Sequence, residues 1–419
     1  MEPLPVNMTQ RTTNNTQKEM PFLHLLGEAL YIGAFGYGGP AVLALAKQRL
    51  VHEKGIVREK DFMDALALAQ VLPGAIGVTL MGHIGYQANA LWGAILLPAV
   101  FALPSFIFII LLSWAYFKFG DLYFVKSIFT GLGALVVALL ANASLLIGRS
   151  VYKRITYREY KGFLISAFTF TGVYFLYLDV IWLILSSGFL GFLFFYFTSE
   201  PEDITSLNQR TSVSSNTASG YSSPTYFVKH YIPILVLVLI TALACFFSPI
   251  IFDIAHTFLK IGALGFGGGF TAIPLIKGIV VDRLNWVSAI QFRDGIALGQ
   301  ITPGPVFITA SFIGYHVAGV LGAFIAALAV FTPSVTAIVF LSGIHRKIGS
   351  FKSVRVVIKG FLSGFFGLLV ATTLHFGFDS IVDWKTWTIF LLALLYLFFF
   401  KKDTIWLILG TIAVSLFLV

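Results

Sequence analysis

Glycine and proline interrupt apolar sequence at four places in this chain, and the interruptions are where chemistry could occur. Two are glycine runs, Gly36-Tyr37-Gly38-Gly39-Pro40 and Gly265-Phe266-Gly267-Gly268-Gly269. Two are proline–glycine turns, Pro73-Gly74 and Pro303-Gly304-Pro305. Each breaks a helix and frees backbone N–H groups. A broken backbone at membrane depth survives only where it is buried or lines a cavity. N–H groups at glycine turns and helix N-termini can hold a tetrahedral dianion there without many full charges. The competing reading is that the glycines only allow close helix packing, which does not by itself require proline beside glycine. The expected anion scaffold is Gly38, Gly39, Pro73, Gly74, Gly267, Gly268, Gly269, Pro303, Gly304 and Pro305.

Polar groups inside apolar segments are expensive and therefore candidates for function. Gln70 and Gln300 each lie beside a proline–glycine turn. Their amides can donate to an oxyanion or satisfy carbonyls freed by the break. Lys260 stands alone before the second glycine run, either as a cationic partner for a dianion or snorkelling to the headgroups, and Tyr31 holds its place in the first half. Asp64 and Asp294 precede the two glutamines by six residues each and are candidate coupling or gating groups, with Glu28 a third. The simpler reading makes both aspartates helix-terminal charges at the membrane surface, and adjacent Arg293 suggests a surface pair for Asp294. His83 and His316 read as packing residues.

The surrounding sequence is that of a polytopic membrane protein. Of 419 residues, 58% are hydrophobic and 11% charged, too little polar surface for a soluble fold of this size. Uninterrupted apolar stretches fall at 91–117, 128–147, 163–178, 180–198, 232–252, 318–343, 357–376, 386–400 and 404–419. The interrupted ones fall at 21–46, 62–87, 254–276 and 295–317. The expected fold is all-α, with a polar cytoplasmic tail at 1–19, a first membrane repeat at 20–198, a flexible Ser/Thr-rich linker at 199–230, and a second repeat with one extra leading helix at 231–419.

Four motifs recur in one order at a nearly constant offset. Gly33–Gly39 matches Gly262–Gly268, Asp64–Gly74 matches Asp294–Gly304, Gly85-Tyr86 matches Gly314-Tyr315, and Pro104-Ser105 matches Pro333-Ser334. The chain is internally duplicated. Placing the basic loop 149–161 in the cytoplasm concentrates Lys and Arg on that side, with the N-terminus inside. The unmatched span 232–252 makes the halves inverted in the membrane. Inverted repeats with broken helices are typical of secondary transporters. The chain crosses nine times if the interrupted segments re-enter and thirteen if they span.

These motifs resemble the signature of the chromate ion transporter family. The likeness rests on Phe35-Gly36-Tyr37-Gly38-Gly39-Pro40 with Gln70-Val71-Leu72-Pro73-Gly74, and on Phe266-Gly267-Gly268-Gly269 with Gln300-Ile301-Thr302-Pro303-Gly304-Pro305. Ile273-Pro274 and Gly314-Tyr315 fit as well. It covers both halves, as in the long two-domain members. The first half departs at Ala75, where the pattern expects a second proline, and at Gly36-Tyr37. The resemblance implies chromate export, with sulfate as a competitor or counter-substrate.

Other classes fare worse. The sequence has no His-Glu-x-x-His and no Gly-x-Ser-x-Gly, and no Gly-Lys-Ser/Thr follows the glycine runs, so no enzyme, metal site or nucleotide site is expected. The single Cys245 permits no internal disulfide. The net charge of +9 reads as loop topology rather than nucleic-acid binding. The expected partners are a small inorganic anion and the bilayer of the cell membrane, with no cofactor and with room for a homodimer. A carrier for sulfate or another divalent oxyanion, or a passive anion channel, shares most of these features.

Overall fold

The structure, a computed structural model, describes residues 22–152, 160–196, 248–342, 352–400 and 404–418. The expected N-terminal tail, the linker, Cys245 and most of the extra span 232–252 lie outside the described residues. Within them the chain is helical, with no strand. The first half comprises α1 (Phe22–Phe35), α2 (Gly39–Lys47) running into a π-helical turn (Gln48–Glu53), α3 (Glu59–Val71), α4 (Ile76–Phe119), α5 (Tyr123–Val151), α6 (Tyr160–Tyr174) and α7 (Val180–Tyr196). The second comprises α8 (Pro249–Leu264), α9 (Gly269–Val280), α10 (Ala289–Ile301), a short 3-10 turn (Val306–Ile308), α11 (Thr309–Ser342), α12 (Lys352–Ser380), α13 (Trp384–Phe399) and α14 (Thr404–Leu418). Four helical stretches, in α4, in α5, at Val306–Phe340 and in α12, are long and apolar enough to cross a membrane.

Two of the long elements are hairpins. Gly85 and Gly93 in α4 would stand about 12 Å apart along one straight helix, yet a Cβ on either would overlap the other's carbonyl. The chain reverses between them at Asn89 and Ala90, whose φ of −148° and 39° are not helical. α11 reverses in the same way at Ala318 and Gly319, bringing Gly314 against Gly322. Gly319 takes φ 62° freely, whereas Ala90 carries a Cβ into the left-handed region at the equivalent position.

The interrupted segments also fold back. A Cβ on Gly295 would overlap the ring of Phe312, and one on Gly299 would overlap Thr309. α10 therefore runs antiparallel to the start of α11 across the Pro303-Gly304 break. In the first half Arg49 reaches back past the glycine run to hydrogen-bond Glu28 and to stack over Tyr31. Such hairpins satisfy their backbone internally, as hydrocarbon surroundings require.

The halves interlock. α5 packs against α12, and each of these also packs against the last two helices of the opposite half, α13 and α14 or α6 and α7. Small residues allow the approach, as at Gly191 on Gly360. One continuous apolar core, including Phe101, Phe292, Phe307, Phe312, Leu135 and Leu369, joins the halves. Outward faces present large apolar side chains such as Trp182, Trp387, Trp406 and Phe417, as expected of surfaces that meet lipid.

Candidate functional site

The four breaks are bonded in pairs across the halves, and the pairs adjoin where Gly269 packs against Val306, which a Cβ there would overlap. The Gly74 N–H donates to the Gly265 carbonyl at 2.6 Å, and the Gly304 N–H donates to the Gly36 carbonyl at 2.7 Å. Each proline–glycine turn of one half is thus bonded to the glycine run of the other. Serines from the long helices complete the pattern. Ser334 Oγ donates to the Pro73 carbonyl at 3.3 Å, and Ser105 Oγ donates to the Pro303 carbonyl. Every member of one set is the repeat equivalent of its counterpart in the other. Such reciprocity defines a local two-fold relation between the halves.

Local conformation explains why the sequence places glycine here. Gly74 and Gly304 have φ of 102° and 103°, a region nearly closed to residues with a Cβ. A Cβ on Gly74 would also overlap Ser334 Oγ, and one on Gly304 would overlap Ser105 Oγ. The flanking prolines cost nothing because they lie outside the helices they separate.

The crossing collects helix N-termini. α2 begins after Gly38, α4 after Ala75, α9 after Gly268 and the 3-10 turn after Pro305, and none of these starts has a side-chain cap. α3, α5 and α8 also start without a side-chain cap, whereas α10 and α13 carry capping boxes. Uncapped N-termini carry partial positive charge and unsatisfied donors. Gln300 lies one turn before Pro303–Gly304, 4% exposed, with its Nε2 unpartnered. The geometry suits an oxyanion, which accepts hydrogen bonds and needs little else.

The structure brings Pro73, Gly74, Pro303 and Gly304 into direct contact across the halves and keeps Gly38, Gly39, Gly267, Gly268, Gly269 and Pro305 at the breaks themselves. It separates the two glutamines. Gln300 is buried, whereas Gln70 is exposed on α3. Lys260 is exposed on α8, and no hydrogen bond or ion pair among the described residues ties it to the crossing. Glu28 is buried and held by Arg49 at 2.9 and 3.2 Å, with Lys54 at 3.9 Å and His24 at 3.7 Å. It is thus an ion-pair anchor between α1 and the π-helical turn.

The expected surface pair is not at a surface. Arg293 and Asp294 are both buried. Arg293 donates from Nε and a terminal nitrogen to Asp294 Oδ1 at 3.0 and 2.8 Å and from its other terminal nitrogen to Ser380 Oγ at 3.1 Å. Tyr116 Oη donates to Asp294 Oδ2 at 2.9 Å. The guanidinium lies so close to Gly133 that a Cβ there would stand 2.8 Å from its carbon. The network joins α10 to α4, α5 and α12. Sequence reasoning missed Tyr116, Ser380 and Gly133 because they come from distant elements. The available signal was the repeat, which sets Arg293 against an apolar residue of the first half. In the first half Met63 replaces that arginine and Asp64 is half-buried.

The model of the chromate transporter family matches residues 23–192 and 252–416, both repeats. The chain belongs to the chromate transporter family. It is 31% identical over 405 residues to the chromate transport protein of Cupriavidus metallidurans, covering 96% of this chain and 94% of that protein. It is 32% identical over 406 residues to an uncharacterised transporter of Methanocaldococcus jannaschii, covering 95% and 94%. A probable chromate transport protein of Synechococcus elongatus is 30% identical over 87% of each chain. No solved structure matches. Family membership makes this chain a transporter rather than an enzyme, embedded in a membrane and acting on an inorganic anion.

Proposed function

We propose that the chain is a secondary active carrier that exports chromate, with sulfate as competitor or counter-substrate, and that the crossing of the four breaks is its anion site. The observation that carries this reading is the reciprocal bonding of Gly74 to Gly265 and of Gly304 to Gly36, which gathers four uncapped helix starts at one place. Backbone N–H groups recognise size and charge, so chromate and sulfate, both tetrahedral dianions, share the site. Gln300 supplies a neutral side-chain donor. The names of the relatives support chromate as the substrate.

A carrier needs two arrangements, and unequal packing of equivalent elements supports them. Every residue of α10 from Phe292 to Gln300 is buried, whereas α3 shows Met63 and Gln70 to the exterior. α10 packs on α4, α5 and α11, and α3 chiefly on α4. In the proposed cycle α3 docks as α10 releases, which carries the site from one side to the other. The fold-back of the interrupted segments favours nine crossings, an inverted relation between the halves and a cytoplasmic N-terminus.

Uptake of radiolabelled chromate into liposomes containing the purified chain tests the substrate. The expected result is uptake inhibited by sulfate and molybdate but not by phosphate. Absence of chromate and sulfate uptake under any ion gradient would remove the basis for this assignment.

A further inference from the structure

The fold-back arms of the two halves are closed differently. In the first half the space between α1 and the π-helical turn is filled by Arg49, which bonds Glu28, stacks 4.2 Å over the Tyr31 ring and bonds Glu53 at 3.0 Å. At the offset that pairs the glycine runs, the second half has Thr257 for Glu28, Lys260 for Tyr31, Gly278 for Arg49 and Arg283 for Lys54. The filling side chain is gone, and of its two carboxylates only the equivalent of Glu53 remains, as Asp282, which pairs with Lys277 at 2.8 Å. α7 covers Gly278, where a Cβ would overlap Val180. What is left is an open cavity of about 480 Å³ lined by Asp179, Trp182, Lys260, Ala263, Leu264 and Arg283, among others.

We propose that this cavity binds the phosphate headgroup of an anionic lipid. Two cations face one carboxylate there. Arg283 meets Asp179 at 3.3 Å, and Lys260 has no ion pair among the described residues. A lysine within an apolar membrane segment is costly without an anion near its ammonium. The remaining walls are apolar, and Trp182, 71% exposed, stands at the rim. That combination of apolar wall, interfacial tryptophan and basic groups fits an amphiphile, with the acyl chains along α7 and α8 and the phosphate between Lys260 and Arg283. A free oxyanion shares the headgroup's charge but has no use for the apolar walls. The inference is independent of the transported substrate.

Native mass spectrometry of the full chain, delipidated in detergent and titrated with phosphatidylglycerol or phosphatidylcholine of the same acyl chains, tests it. The expected result is preferential retention of phosphatidylglycerol, reduced about fivefold by Lys260→Gln and again by Arg283→Gln. Lys118→Gln should leave retention intact, because Lys118 also stands beside a tryptophan, Trp114, but lines no part of this cavity. Lys260 and Arg283 are exposed, so neither substitution removes a packed group. A preference that survives both substitutions, or no preference in the unaltered chain, would overturn the proposal. Displacement of phosphatidylglycerol by sulfate, lost in Lys260→Gln, would overturn it in favour of a free-oxyanion site.

Discussion

α3 and α10 share a sequence pattern and differ in what surrounds them. Each runs from an aspartate through small apolar residues to a glutamine and a proline–glycine break. α10 is enclosed and clamped by Arg293, Asp294, Tyr116 and Ser380, while α3 lies partly open. Duplicated sequence therefore does not mean duplicated environment. What the two halves keep in common is the set of hydrogen bonds that cross between them, each of which has its reciprocal, whereas Thr271, which bonds carbonyls of the second glycine run, is replaced by Val42 in the first. What they do not share is the anchoring of the helices that lead to it. A symmetric site on asymmetric supports is the arrangement expected of one end state of a carrier.

The largest effect should separate the two aspartates. Asp294→Asn leaves a buried guanidinium without its counter-charge and should cost about 3–5 kcal/mol, whereas Asp64→Asn, on the half-buried helix, should cost about 1 kcal/mol or less. Thermal unfolding of the purified variants in one detergent checks the pair, and equal losses would dissolve the contrast. Next comes the crossing itself. Gly268 has φ 108°, so Gly268→Val should abolish chromate transport at matched membrane level. Normal flux in that variant would argue against the glycine-turn site.

A smaller difference is expected between the glutamines. Gln300→Ala removes a buried donor beside the break and should weaken sulfate binding about tenfold, the value of one hydrogen bond to a charged group. Gln70→Ala should change it by about twofold or less, as read by calorimetric titration. Comparable losses would place both amides at the anion. The smallest effect concerns the hairpin turns. Ala90→Gly should stabilise by about 1 kcal/mol by relieving a left-handed alanine, and Gly319→Ala should destabilise by about the same amount. Opposite shifts in unfolding temperature are the expected readout.

Much of this was legible from sequence because glycine, proline and long apolar runs report on local backbone. The four breaks, the duplication and the helical architecture follow from residues that act where they stand. Reciprocity at the crossing was not legible, since the repeat marks Ser105 and Ser334 as equivalent but does not say that each bonds the break of the opposite half. Nor was the burial of Arg293 and Asp294, because the partners Tyr116 and Ser380 come from remote helices and an Arg-Asp pair near a loop reads as a surface feature. Lys260 was conspicuous as a lone charge, but which neighbours it meets depends on α7 and on the loop carrying Arg283. Tertiary contacts between halves are the part that single-sequence reasoning cannot supply.

Counterflow separates a carrier that alternates around one oxyanion site from a passive pore. Liposomes containing the purified chain are loaded with unlabelled sulfate, and entry of radiolabelled chromate from a low external concentration is followed. An alternating carrier gives a transient accumulation of chromate above its equilibrium level, absent from Gly304→Ala liposomes with matched protein content. Chromate entry that never exceeds its electrochemical gradient, with or without internal sulfate, would contradict it and point to a passive channel.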